Sequence, residues 1–569
     1  MLYKDLVVNI PPEGRLGTSK RIYVTTEKVY KPDKKYNVNK RVSIGQAIDD
    51  KTMHPNSNYK MLYPHQYEEA TKKGPVQPVE KSIGLKLVVE RICRDTGLYD
   101  CMMEAFGFEL TNALLDYCLY TLRTKSDATQ NLPHILAGDL LFSGEAKSDS
   151  FYSRVFSKRL TEERMRVFRE LWAKHLATEG KTSGYISIDG TNDECEAKGV
   201  DLAEKGHNKT GKNTNIVNIM YAVTPDGTPV TYETYRGSVV DSKAMNRMVQ
   251  FLRSYNIEPE GCILDRGFCD VECQEILESP DTGMHYILML KSNTKAAKSM
   301  MDKYGKEIKH NVRYKLDGVD LFGITAQEKV FAKSQKDSYV HLFYDAINGD
   351  ATMFKLMNDL EDTVKDVRMS LADFKRPCIP SKFKDVISIG RGLEPSDCEI
   401  DYDAYQKLVD AKGLSAIATD VEMSAKKANR IYHLRDASET QYSILKSQLG
   451  FDRARVQLTS SFNAKTGTSF IGAIIRNEIM KAGKELVAKT GDRRSFTANN
   501  IISKLHHMKM LLVNDVYCYV DSFGTRDRMI LDKLGITDDI FKDAIKKENM
   551  RYEGHVKKSC RKKTAPKKN

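Results

Sequence analysis

Short blocks of apolar residues, each broken by a turn signal, run through the middle of the chain. YISID (185–189) is a brief apolar strand ending on Asp189, and IVNIMYAV and PVTYETY flank TPDGT, whose Asp-Gly pair predicts a tight hairpin. SKAMNRMVQFLRSYNI then has helical periodicity, capped near Ser242. GCILD (261–265) is a strand ending on Asp265, DVECQEILES is helical, and HYILML is a further strand followed by Lys291. The order strand–strand–strand–helix–strand–helix–strand predicts an α/β core with an antiparallel start.

The flanks have a different texture. KRIYVTTEKVY and KRVSIGQAI alternate like strands with Lys-rich turns and lead into a Pro/Asn/Tyr-rich loop, predicting a small β unit over 1–85. LKLVVERICRD, DCMMEAFGFELTNALLDYCLYTL and LTEERMRVFRELWAKHLA predict a helical domain over 86–180, with the single tryptophan, Trp172, in its core. Residues 181–293 hold the first part of the α/β core. An insertion then spans 294–411, with strand-like NVRYKL, LFGITAQEKVF and YVHLFYDA before a long charged helix. GLSAIATD returns to strand and opens the second part of the core, 412–485. Residues 486–569 read as short helices and a basic tail.

Charge points to a polyanion. The 569 residues carry 89 Lys and Arg against 77 Asp and Glu, a net +12. KKSCRKKTAPKKN (557–569) supplies seven of those positive charges and no acid, and residues 1–60 hold 12 basic against 6 acidic side chains. Basic ends on a nearly balanced body suit a nucleic-acid partner. No stretch approaches the roughly 18 apolar residues of a membrane span, and the N-terminus is no signal peptide, so a cytoplasmic, nucleoid-associated protein is expected. The 11 cysteines read as reduced thiols, and Cys262, Cys269 and Cys273 lack a regular zinc spacing. Phosphate-loop, serine-hydrolase and zincin motifs are absent.

The candidate chemistry lies in two strand-end aspartates and one helix. In RIYHLRDASETQYSILKSQLG (430–450), Tyr432, Arg435, Glu439 and Lys446 fall at about 0°, 300°, 340° and 320° at 100° per residue. They share a stripe about 60° wide and roughly 21 Å long. Ser424 is its expected N-cap and Gly450 its stop. Carboxylates converge at a cost unless a cation neutralises them, so Asp189, Asp265 and a helix-borne Glu439 suggest a hard divalent metal. Asp436, Asp241 and Asp193 are rival ligands.

These residues resemble a family. Tyr432, Arg435, Glu439 and Lys446 match the Y-x2-R-x3-E-x6-K (YREK) signature of bacterial insertion-sequence DDE transposases at every specified position. DGT (189–191) and LDRGF (264–268) resemble the two aspartate motifs, and GHNK, RGSVVDSK and AIATD resemble other family stretches. The likeness covers roughly 180–480. One departure is Ser438, where the family usually has an aliphatic residue.

The resemblance implies a ribonuclease H-like core, a mixed five-stranded sheet interrupted by a β-rich insertion, with N-terminal β and helical units and a helical C-terminal region. It implies Asp189, Asp265 and Glu439 as catalytic metal ligands, holding two Mg²⁺ ions with Mn²⁺ able to substitute. Tyr432, Arg435 and Lys446 would contact transposon-end DNA, Tyr432 by stacking on a base, with Lys291, His207 and Lys209 as further phosphate contacts. The expected activity is metal-dependent cleavage and strand transfer at inverted-repeat ends, cut-and-paste with a hairpin as the route common among relatives, by a homodimer that also binds target DNA. The 86–180 domain would bind the ends. A related nuclease without strand transfer and an inactive DNA-binding descendant are the alternatives.

Overall fold

Strand alternation in the first fifty residues produces an antiparallel sheet. In the computed structural model, β1 (Val8–Asn9), β2 (Arg15–Leu16), β3 (Arg21–Lys31), β4 (Tyr36–Ala47) and β5 (Thr52–Pro55) lie in the order β1-β5-β4-β3-β2. Val8, Ile22, Val24, Ile44, Met53 and Tyr59 form its core. The stretch read as a Pro/Asn/Tyr-rich loop is instead β5 and two short helices, Ser57–Leu62 and Pro64–Thr71. Asn56 explains the difference: its side chain accepts from the backbone N–H groups of Asn58 and Tyr59, capping the first of them.

The structure describes residues 6–564 other than 33–35, 72–79, 209–210, 280–283, 332–333, 335, 452–454, 514–515 and 520–522. The chain forms two compact units. The first contains Met1–Val79, Leu512–Tyr517 and Lys546–Asn569; the second contains Glu80–Leu511 and Cys518–Ile545. No helix among the described residues is long and apolar enough to cross a membrane.

The second unit begins with β6 (Glu80–Ser82) and the expected helices, Gly84–Asp95, Leu98–Phe106, Phe108–Thr124 and Glu162–Thr178 among them. Trp172 is 1% exposed, and its indole N–H donates to the carbonyl of Pro229 at 2.8 Å, so it is a core residue. The main sheet follows: β7 (Tyr185–Glu194), β8 (Glu204–Lys205), β9 (Asn215–Val223), β10 (Pro229–Arg236), β11 (Gly261–Leu264), β12 (His285–Met289), β13 (Phe322–Glu328) and β14 (Ser338–Tyr344). After β15 (Ile387–Ile389) and β16 (Cys398–Ile400), which pair with each other, β17 (Leu414–Thr419) completes it.

The sheet order is β10-β9-β7-β11-β12-β17-β14-β13, with β8 on β9. β7 is antiparallel to β9 and parallel to β11, β11 is parallel to β12, and the remaining pairs are antiparallel. The near-continuous apolar runs of β9, β11 and β12 are those of strands covered on both faces. At the β9–β10 turn, Gly227 has φ +87°, a conformation open to glycine, which closes the hairpin expected of TPDGT.

Two features add to the sequence reading. The sheet has nine strands: β17, β14 and β13 extend β10-β9-β7-β11-β12 beyond β12, and β8 pairs with β9. Within 294–411, β13 and β14 belong to the main sheet, and NVRYKL forms a 3₁₀ turn at Val312–Tyr314 instead of a strand. The rest of that segment has its own apolar cluster. Leu356, Leu360 and Val367 of the helix Ala346–Ala372 pack with Phe383, Ile387, Cys398 and Val409. Helix Thr459–Thr490 outruns its apolar segment at both ends, and β18 (Lys509–Val513) pairs with β6.

Candidate active site

Strand register brings the two aspartates level. β11 runs parallel to β7 with Leu264 opposite Ile188, so Asp265, the next residue, emerges beside Asp189 on the neighbouring strand. Asp265 leaves the sheet at once: its Oδ1 accepts from the Arg266 N–H at 2.6 Å and starts a 3₁₀ turn over Arg266–Phe268. Asp189 is not at a strand end, as the sequence suggested. β7 continues to Glu194 because Gly190–Glu194 remain paired with β9, leaving Asp189 in mid-strand and 7% exposed. Asp189, Thr191 and Asp193 share one face by the two-residue period.

The signature segment lies along that face. After Asp420 accepts from the Tyr286 N–H, Ser424 caps the helix through its bond from the Lys427 N–H. The chain then stays helical to Gln448 but in four pieces: α-helix Ala425–Tyr432, 3₁₀ turn His433–Arg435, α-helix Asp436–Ser443 and π-turn Ile444–Gln448. Gly450, with φ +76°, ends it as expected. Successive bonds run the same way along both elements. Ser438 Oγ meets Ser187 Oγ at 2.8 Å, Tyr442 OH donates to the Asp189 carbonyl, and Lys446 Nζ donates to the Asn192 carbonyl at 2.6 Å.

These contacts divide the expected single stripe into two places. In the first, Arg435 Nη1 donates to Asp189 Oδ2 at 3.3 Å and Nη2 to Glu439 Oε1 at 2.5 Å. Burial works against the guanidinium charge, but Tyr432, Asp189, Asp265 and Glu439 together hold it firmly protonated. Two carboxylates thus bond to one cation, and the charge of a third, Asp265, acts on it. In the second, Lys446 reaches past Asp189 to the far end of β7, 4.0 Å from the fully buried Asp193 carboxylate. The exposed His207 is at that end too, its carbonyl accepting from Asn192 Nδ2 at 3.1 Å.

Tyr432, expected to stack on a base, has its ring covered by protein here. It is 7% exposed and packs with Tyr185, Ile263, Ile287 and Ile431, and the Arg435 guanidinium sits 5.7 Å from its ring centroid. Burial pushes its phenol up to about 12; Arg435 opposes this, and the Asp265 and Asp189 charges add to it. The physical reason is its place on the inward side of the helix against β11 and β12. Lys291 is exposed just beyond β12, near enough to Cys269 for its charge to offset part of the burial that raises that thiol. Lys209 lies outside the described residues.

The rival acids are sorted by their surroundings. Asp436 is exposed and borders a separate cleft of about 580 Å³ with Asp226, His433, Thr440 and Lys484. Asp193 faces Lys446. Asp241 accepts from Tyr235 OH, and its Oδ2 lies 2.7 Å from where a Cβ on Gly190 would be, so glycine is required there by close approach. Asp241 and Tyr235 therefore brace the strand next to Asp189. The sequence reading missed Tyr235 and Tyr442 as supports, and also Ser187. Their only signal was aromatic or polar character at positions that strand and helix periodicity assign to the core.

Asp189, Asp265 and Glu439 offer oxygen donors alone, the set preferred by hard divalent cations, so in donor chemistry they fit such an ion. Among the described residues no three Asp, Glu, His or Cys side chains are gathered closely enough to hold a metal as they stand. Cys262, Cys269 and Cys273 form no such group either.

Residues 181–475 match the family model described as "Transposase DDE domain". Among solved structures, "Cryo-EM structure of piggyBac transposase synaptic complex with hairpin DNA (SNHP)" aligns with TM-score 0.33 and 9% identity, covering 74% of this chain and 76% of that one. No curated protein sequence matches.

Proposed function

Since the chain belongs to the Transposase DDE domain family, and is thereby an enzyme of DNA cleavage and strand transfer, we propose that Asp189, Asp265 and Glu439 are its catalytic triad. The observation that carries the assignment is that Arg435, on the signature helix, bonds to both Asp189 and Glu439, while Asp265 follows the strand end level with Asp189 and adds its charge at the same guanidinium. The five strands β10-β9-β7-β11-β12, antiparallel and then parallel about β7, support a ribonuclease H-like reading of the core.

Asp189, Asp265 and Glu439 would hold Mg²⁺, two ions or Mn²⁺ in their place, which when bound supply an activated water and neutralise charge at the phosphate. Arg435, released from the carboxylates, has the planar fork that grips a phosphate bidentately. Lys446 and Lys291 would supply charge along the DNA backbone and His207 a hydrogen-bonding group, with Lys209, outside the described residues, as a further phosphate contact. Tyr432 orders Arg435 from below rather than touching a base. Membership of the YREK group, and with it a bacterial insertion-sequence origin, is supported by the full Y-x2-R-x3-E-x6-K spacing in 432–446. The protein would act as a homodimer on two inverted-repeat ends and join their 3′-OH groups to target DNA, with 86–180 contributing to end binding and 294–411 forming the insertion.

The test uses labelled duplex carrying the element's inverted repeats, with wild type and Asp189→Asn, in Mg²⁺ and in EDTA, resolving cleaved, hairpin and strand-transfer products. Metal-dependent products at the repeat ends that vanish in the variant support the assignment. Cleavage without transfer would favour a nuclease, and undiminished activity of Asp189→Asn would sink the triad.

A further inference from the structure

The hairpin of β3 and β4 outgrows the sheet that anchors it. Ile22, Val24 and Ile44 are buried at its base, but from Thr25 to Lys31 every side chain of β3 is exposed, and on β4 the residues Tyr36, Asn37, Asn39, Lys40 and Arg41 are exposed as well. The register shifts between Thr25 and Glu27, where the ribbon leaves the core; such a bulge sharpens the local twist. Val29, Tyr30 and Tyr36 are 41%, 58% and 57% exposed, an unusual display of apolar and aromatic surface for a two-stranded ribbon.

Its two faces differ in chemistry. Pairs directly opposite share a face, so Lys28 with Asn39 and Tyr30 with Asn37 form one side. Glu27 with Lys40, Val29 with Val38 and Lys31 with Tyr36 form the other. The first side carries only hydrogen-bonding groups. Over residues 25–41 the sequence holds six Lys and Arg against Glu27 and Asp33.

We propose that this ribbon enters the major groove of the element's terminal repeat, with Asn37, Asn39 and Lys28 on base edges and Lys31, Lys40 and Arg41 toward phosphates. The inference rests on the transposase reading for its DNA partner. Two strands about 4.8 Å apart, with their side chains, fit a groove about 12 Å wide and are too broad for the minor groove of about 6 Å. Asparagine pairs bidentately with adenine and lysine with guanine, so this face has the donors and acceptors that distinguish bases. The basic excess selects nucleic acid over a protein surface of ordinary charge.

The full-length protein should be compared with Asn37→Ala/Asn39→Ala and with Lys31→Ala/Lys40→Ala. Fluorescence anisotropy on a repeat-end duplex and a scrambled duplex of equal length would read binding, and cleavage would be assayed in Mg²⁺ at saturating repeat DNA. The asparagine variant should lose about 10- to 100-fold of its discrimination while binding scrambled DNA as before and cutting at saturation. The lysine variant should weaken on both duplexes alike, with the salt slope reduced by up to about 2. Unchanged discrimination in the asparagine variant overturns the proposal, and so does a loss of dimer in light scattering with discrimination intact. A wild type that never cuts repeat ends defeats the transposase reading instead, and the binding comparison still decides the ribbon.

Discussion

Arg435 donates to Asp189 at 3.3 Å across 246 residues of sequence, and the same guanidinium holds Glu439 one helical turn away. A fixed positive charge thus stands among carboxylates that would otherwise repel one another. Both Arg435 and Asp189 are largely buried, so solvent screens the pair weakly.

Glu439→Gln keeps the volume and one hydrogen-bond acceptor for Arg435 but removes a charge from the triad. Mg²⁺-dependent cleavage of repeat ends should fall on the order of 10³-fold, equivalent to about 4 kcal/mol in the barrier, with end binding within a few-fold of wild type. Wild-type cleavage in this variant would refute the catalytic role.

Arg435→Ala leaves Asp189 without its cation. The metal-free protein should lose about 1.5–3 kcal/mol of stability, the worth of a hydrogen bond to a charged group. Because the guanidinium no longer competes with an added ion for the carboxylates, Mg²⁺ should raise Tm more in the variant than in wild type. Thermal unfolding in Mg²⁺ and in EDTA, by circular dichroism, measures the difference; equal shifts would mean that Arg435 does not compete for that site.

Ser438, where the resembling family has an aliphatic residue, is compensated by Ser187. Removing one hydroxyl leaves its buried partner unpaired, so Ser438→Ala should cost about 1–3 kcal/mol. Ser187→Ala/Ser438→Ala should be less destabilised than the sum of the single variants. Denaturant unfolding of the four proteins gives the coupling energy, and additive losses would show that the pair does not interact.

Gly190→Ala places a methyl against the Asp241 carboxylate, which Tyr235 holds in position. Overpacking of this kind costs about 1–3 kcal/mol and would shift the strand that carries Asp189. Lower Tm and reduced cleavage should appear together, with Tm partly restored by Asp241→Ala in the same chain. Full activity in Gly190→Ala would contradict the close approach.

Burial holds His341 down to about 4, against an ordinary 6.5, where it bridges Thr325 and Thr419 between β13 and β17. The unfolded chain takes up this proton first, so the stability linked to His341 is complete above about pH 6.5 and is lost as pH falls toward 4. The loss is on the order of 3 kcal/mol. His341→Gln should flatten the fall of Tm over that window; an unchanged slope would assign the acid sensitivity to other groups.

Local pattern alone determined the strand–strand–strand–helix–strand–helix–strand order, the TPDGT turn, the Ser424 cap and the Gly450 stop. Each depends on periodicity or turn chemistry within a few residues. Tertiary structure decided what depends on pairing and packing. Backbone bonds to β9 carried β7 beyond Asp189, and pairing with β17 drew β14, and β13 with it, into the main sheet. Where the helix lies along β7, Arg435 joins Asp189 to Glu439 while Lys446, farther along, serves Asn192 and Asp193. Tyr432 turned inward because the apolar residues of β11 and β12 lie beneath it. Spacing along the chain can nominate residues for a site, but which of them meet is fixed by strand register and by the path of the helix laid along it.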